Sequence, residues 1–184
     1  MKILIAAAAL TLAATPAFAQ TTPAPAAAPA ADSVATVYDK ALGAGWENWS
    51  WAKTELSADI GSARMPIMID AQAYQALYLH HDSFSTKPYR GISMLLQVVG
   101  GPAEVRVMAI ADGKPIPDGD KKGADGQPLP LMKVISLTPG GWKQVQIPLA
   151  QLGAADRNID GFWVQNNSSQ PAPHIYAADI ALKP

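Results

Sequence analysis

From about residue 35 onward the chain runs in short apolar or alternating segments separated by Gly, Pro, Asn and Asp. No stretch carries the i, i+3, i+4, i+7 spacing of a long amphipathic helix. Ten segments read as strands: 35–39, 46–53, 63–70, 75–80, 91–98, 104–111, 131–137, 142–148, 161–166 and 174–182. In the sixth, Val105, Val107 and Ala109 alternate with Arg106, Met108 and Ile110, which turns Arg106 toward solvent, a groove or a partner. Pro139-Gly140-Gly141 makes a turn ahead of Trp142, and residues 149–152 suit one helical turn in a connection. So many strands in roughly 150 residues predict an all-β fold, a two-sheet β-sandwich or jelly roll. Residues 112–130 form the longest gap without strand character. Asp118 and Asp120 there have the spacing of a calcium loop, but Lys122 breaks the third ligand position and Leu129 stands where a bidentate Glu is needed. The gap reads as a solvated insertion.

The N-terminus changes the picture of where the protein works. Met1-Lys2, an apolar run over residues 3–14 and Ala17-Phe18-Ala19 form a secretory signal over residues 1–19, cleaved after Ala19. The expected location is therefore secreted or periplasmic. Residues 20–32, rich in Pro and Ala, read as a disordered tether, and residues 33–184 as one domain. No apolar run of spanning length follows, so no membrane insertion is expected. The formal net charge is −1, and loss of Lys2 with the leader makes it −2, which argues against a nucleic-acid partner. With no cysteine, stability rests on the core or on a metal.

Catalytic motifs are scarce. The three glutamates, Glu47, Glu55 and Glu104, are scattered, and a glycosidase needs two carboxylates at a fixed separation. There is no G-x-S-x-G elbow and no H-E-x-x-H. His80 and His81 are adjacent, so on a strand they face opposite ways and do not share a metal. The expectation is a protein that is not an enzyme.

The aromatic residues carry the chemistry. Trp46, Trp49 and Trp51 crowd one segment, Tyr74 and Tyr78 precede His80, and Trp163 lies in GFWVQNN. Sugars offer flat C–H faces ringed by hydroxyls, so a sugar site needs aromatic platforms with planar hydrogen-bonding groups beside them. Alternation sorts the residues by face. Leu77, Leu79 and His81 share one face with the core, which leaves Tyr78 and His80 pointing outward. Phe162 and Val164 look like core, which leaves Trp163 and Gln165 outward. Trp49 and Trp51 share one face, and Trp46, Asn48 and Ser50 the other. Any single tryptophan is equally accountable as core packing, since Trp is highly buried on average. The candidate carbohydrate-binding set is Trp46, Asn48, Trp49, Trp51, Tyr78, His80, Trp163 and Gln165.

Four segments, YDKALGAGWENWSWA, YQALYLHHDSF, GWKQVQIPLAQLG and IDGFWVQNNSSQPAPHIYAADIAL, occur in that order across residues 37–182. Together they resemble the galactose-binding-like jelly-roll modules attached to bacterial cellulases and other polysaccharide-degrading enzymes. The resemblance implies a two-sheet jelly roll that binds a polysaccharide or oligosaccharide on a sheet face. It requires no cofactor, but it implies a structural calcium near the chain ends. Asp39 and Asp179 are the residues that would hold it, and Asp179 stands alone where the family often has two consecutive acids. Such modules sit beside a catalytic domain, and here only a leader, a tether and a module are read. The alternative on the same scaffold is a protein-interaction domain for an envelope partner, because aromatic residues are equally typical of interface cores.

Overall fold

A computed structural model describes residues 34–184, and the expected leader and tether lie outside the described residues. Strands are numbered in chain order. The first sheet holds β1 (Thr36–Asp39), β2 (Ala41–Leu42), β4 (Lys53–Glu55), β5 (Ile67–Asp70), β7 (Gly91–Val99), β13 (Lys143–Pro148) and β15 (His174–Lys183). The second holds β3 (Trp46–Asn48), β6 (Ala76–Ser85), β8 (Ala103–Ala111), β9 (Lys114–Pro115), β12 (Lys133–Leu137) and β14 (Asn158–Asn166). Pairing is antiparallel in every ladder. From β5 to β8, and again from β12 to β15, successive strands alternate between the sheets. That is the winding of a jelly roll, as the alternating pattern predicts.

The inner faces meet in one apolar core. Leu77, Leu79, Val107, Phe162 and Val164 from the second sheet face Ile92, Met94, Leu96, Ile175 and Ile147 from the first, and all are essentially inaccessible. Each lies in a period-two row, so the opposite rows of the same strands must face outward. The expected turn at residues 149–152 is a 3₁₀ turn, Leu149–Leu152, closed by Gly153 in the left-handed region (φ 66°).

Two elements differ from expectation. The segment read as one strand over 46–53 is two. β3 pairs with β6 in the second sheet, whereas β4 pairs with β5 in the first, so the chain changes sheets between them. The gap over 112–130 is not strandless: β9 pairs with β8, and β10 (Pro117–Lys122) and β11 (Pro128–Pro130) form a separate two-stranded ribbon. Backbone pairing there proceeds without an alternating apolar pattern to signal it.

Candidate functional site

The outer face of the second sheet is built on three neighbouring strands, β6, β14 and β8. Their register sets Tyr78, Trp163 and Met108 in one row. His80, Gly161 and Ile110 form the next row, and Ala76, Gln165 and Arg106 the one on the other side. β3 adds Glu47 beside His80 at the sheet edge.

The crossing between β3 and β4 then lays two rings over this floor. Its backbone is still tied to β6: Trp49 N–H donates to Tyr78 O (2.9 Å) and Ala52 N–H to Ala76 O (3.1 Å). Between them the Ser50 hydroxyl accepts from Tyr78 N–H (3.0 Å), standing in for a backbone carbonyl. The odd positions therefore keep facing outward. Trp49 stacks flat on His80 at 3.6 Å between ring centroids and 10° between planes. Trp51 meets Trp163 edge-on at 4.7 Å and 79°. Tyr78 lies between, edge-to-face with Trp49 (6.0 Å), His80 (5.6 Å) and Trp163 (5.8 Å). Five rings thus form one continuous patch. Tyr78 is its buried floor, while Trp49 (55 % exposed) and Trp51 (40 %) are its open platforms.

Polar groups flank the patch at both ends. At one end Glu47 Oε2 accepts from Trp49 Nε1 (2.7 Å) and lies 3.6 Å from His80 Nδ1. At the other, Arg106 Nε donates to Gln165 Oε1 (2.5 Å) and Gln165 Nε2 donates to Tyr74 O (2.5 Å). The Trp51 indole also donates to Tyr74 O (3.3 Å), and the Arg106 guanidinium lies 5.7 Å from the exposed Tyr74 ring. Burial lowers the Arg106 pKa, an effect that Tyr74 opposes. Asp160 accepts from both the Tyr78 hydroxyl (3.2 Å) and Gly113 N–H (2.7 Å). Burial first, and Asp160 second, raise the Tyr78 pKa above its ordinary value. Beneath the patch the Trp163 indole N–H is buried without a hydrogen-bond partner.

Six of the eight residues singled out from sequence, Trp49, Trp51, Tyr78, His80, Trp163 and Gln165, come together here. Trp46 does not. It is a core residue, 4 % exposed, with rings of His81 (5.2 Å), Phe84 (5.6 Å) and Phe162 (6.3 Å) around it and its indole N–H donated to Val34 O (3.2 Å). Nor is Asn48 on the patch: its amide donates to Thr54 Oγ1 (2.9 Å) and its carbonyl accepts from Ser50 N–H (3.2 Å), which shapes the crossing. Glu47 and Asp160 join the site unforeseen, and Tyr74, named among the aromatics but not in the candidate set, joins it too. Glu47 carried a usable signal, since it falls two residues from Trp49 on the outward row.

The Asp179 carboxylate faces the Arg64 guanidinium at 3.5 Å, and no group of three or more His, Cys, Asp or Glu able to hold a metal occurs among the described residues.

No protein-family model and no curated protein matches this chain. Solved structures do. A family 29 carbohydrate-binding module superposes with a TM-score of 0.52 at 15 % identity, over 80 % of this chain and 86 % of that one. The chain has the fold of a jelly-roll carbohydrate-binding module. Two variants of a family 29 module, one complexed with cellulohexaose (TM-score 0.51, 15 % identity, 80 % and 87 % covered) and one with mannohexaose (0.50, 13 %, 80 % and 89 %), share it. Identities this low show the module fold alone.

Proposed function

We propose that the protein is a secreted, non-catalytic binder of polysaccharide or oligosaccharide chains, and that the glycan lies on the outer face of the second sheet. One observation carries this: Trp49 and Trp51, two exposed indoles on one extended segment, open onto a continuous ring patch with Glu47 at one end and Arg106, Gln165 and Tyr74 at the other. Sugar rings stack on the indoles, and the flanking carboxylate and guanidinium take the hydroxyls, with the buried Gln165 amide holding Arg106 in place. The neighbours complexed with hexaoses support the reading through the shared fold. The absence of catalysis is supported, through the shared fold, by the neighbours' being carbohydrate-binding modules. Secretion rests on the leader read over residues 1–19.

Affinity electrophoresis against β-glucan, mannan, xylan and galactan tests the proposal. Retention on at least one glycan is expected. Trp51→Ala and Trp49→Ala should each weaken it by about 2- to 10-fold, the equivalent of roughly 0.5–1.5 kcal/mol per stacked pair. A folded protein retained on none of them, but capturing an envelope protein through the same face, would make the patch a protein interface instead.

A further inference from the structure

Trp49 is 55 % exposed, yet its ring is held by three neighbours. An exposed side chain has several rotamers open to it, and a ligand that binds it must select one. Here the selection is made in advance. Donation from Trp49 N–H to Tyr78 O (2.9 Å) keeps the backbone in step with β6. His80 lies flat against the indole, 3.6 Å between ring centroids and 10° between planes. Glu47 Oε2 accepts the indole N–H at 2.7 Å, which fixes the rotation of the ring within that plane. Tyr78 stands edge-on to both stacked rings, at 84° to Trp49 and 86° to His80. One face of the indole is thus covered by the protein.

His80 is placed for this task. Its side chain is only 14 % exposed, so its own ring offers little platform to a ligand. Its Nδ1 is buried without a hydrogen-bond partner, and Glu47 Oε2 stands 3.6 Å away, beyond hydrogen-bond reach. A buried polar atom in a residue kept for stability alone is normally paired. Across the sheet His80 faces Gly161, whose missing side chain leaves room for the Tyr78 ring. Direct face-to-face stacking is an arrangement that aromatic pairs otherwise avoid. Glu47, the register partner of His80 on β3, and Tyr78 together hold the two rings in it.

We propose that His80 and Glu47 are positioning residues for Trp49. The imidazole backs the indole, the carboxylate fixes its rotation, and one indole face is presented to a sugar ring before any ligand arrives. The role rests on the glycan reading of this face. Glu47 keeps Oε1 for a glycan hydroxyl, whereas His80 acts only through Trp49. A platform set in advance spares the ligand the cost of ordering the side chain. Freeing it should weaken retention by about 2- to 10-fold, and by no more than the loss of Trp49 itself.

The test has one arm with glycan and one without. Affinity electrophoresis on whichever of β-glucan, mannan, xylan or galactan retains the wild type reads a double-mutant cycle. His80→Ala should weaken retention by itself and cost nothing further on a Trp49→Ala background. His80→Phe, which restores a flat ring, should recover most of the loss. An equal loss in both backgrounds overturns the proposal, because His80 would then act without Trp49. The second arm is fluorine NMR of the ligand-free protein labelled with 5-fluorotryptophan, with the Trp49 signal assigned through Trp49→Phe. Its transverse relaxation in wild type should be close to that of Trp46, which is fixed in the core. His80→Ala and Glu47→Ala should each slow it as the ring is freed. Glu47→Gln, which keeps an acceptor for the indole N–H, should not. Relaxation unchanged in both alanine variants overturns the proposal whatever the electrophoresis gives. Glu47 is 60 % exposed, so Glu47→Ala carries this arm if His80→Ala does not fold. A ring freed as expected, in a protein retained on no glycan, leaves the positioning standing and removes only the glycan reading.

Discussion

Residue by residue, the division between core and surface aromatics decides what each substitution does. Trp46 sits inside a cage of aromatic rings, so Trp46→Ala should cost about 3–5 kcal/mol by denaturant unfolding. Trp49→Ala and Trp51→Ala should change unfolding far less, because both residues are exposed, at 55 % and 40 %. Tyr78 gives a pH signature. Burial and Asp160 raise its folded pKa above the unfolded value of about 10, so the fold favours the neutral phenol. That contribution is complete below pH of about 10 and is lost as pH rises through the folded pKa. An ultraviolet phenolate titration, compared with that of Tyr78→Phe, should therefore find Tyr78 silent until the protein unfolds. Asp160→Asn should lower its pKa. Ionisation of Tyr78 near its ordinary value in folded protein would contradict the burial argument.

Among the elements, β14 is where the patch is most tightly made. Gly161 has φ 153°, and a Cβ there would stand 2.2 Å from Leu79 O and 2.9 Å from the Tyr78 ring. Gly161→Ala should cost on the order of 1–3 kcal/mol, read from the denaturant midpoint, and should also disturb the near-ultraviolet aromatic signal. The outward rows of β6 and β14 were legible beforehand because both strands are regular and bury one face, so a period of two sorts Tyr78, His80, Trp163 and Gln165 correctly. The 46–53 segment was not, for a physical reason. Alternation runs unbroken through the crossing, because the Ser50 hydroxyl takes the place of a backbone acceptor. Nothing in the pattern marks where the chain leaves one sheet for the other. The Arg64–Asp179 contact was equally invisible, since it joins a loop to a bulged strand far along the chain.

For the molecule as a whole, the Arg64–Asp179 pair, which engages one of the two aspartates expected at a calcium, leads to one expectation about metals. Melting temperature should be the same with and without a calcium chelator, and a drop of several degrees would show a bound ion. The crossing also has a mechanical consequence. Trp49 and Trp51 ride on the short strap that leaves the edge of one layer and enters the other. Whatever rests on those two indoles also leans on β14 through Trp163, so an occupant acts as a splint across the seam. Peeling the layers apart would then begin with its release. Proteolysis at the strap should slow when the face is filled, even though no bond within either sheet has changed.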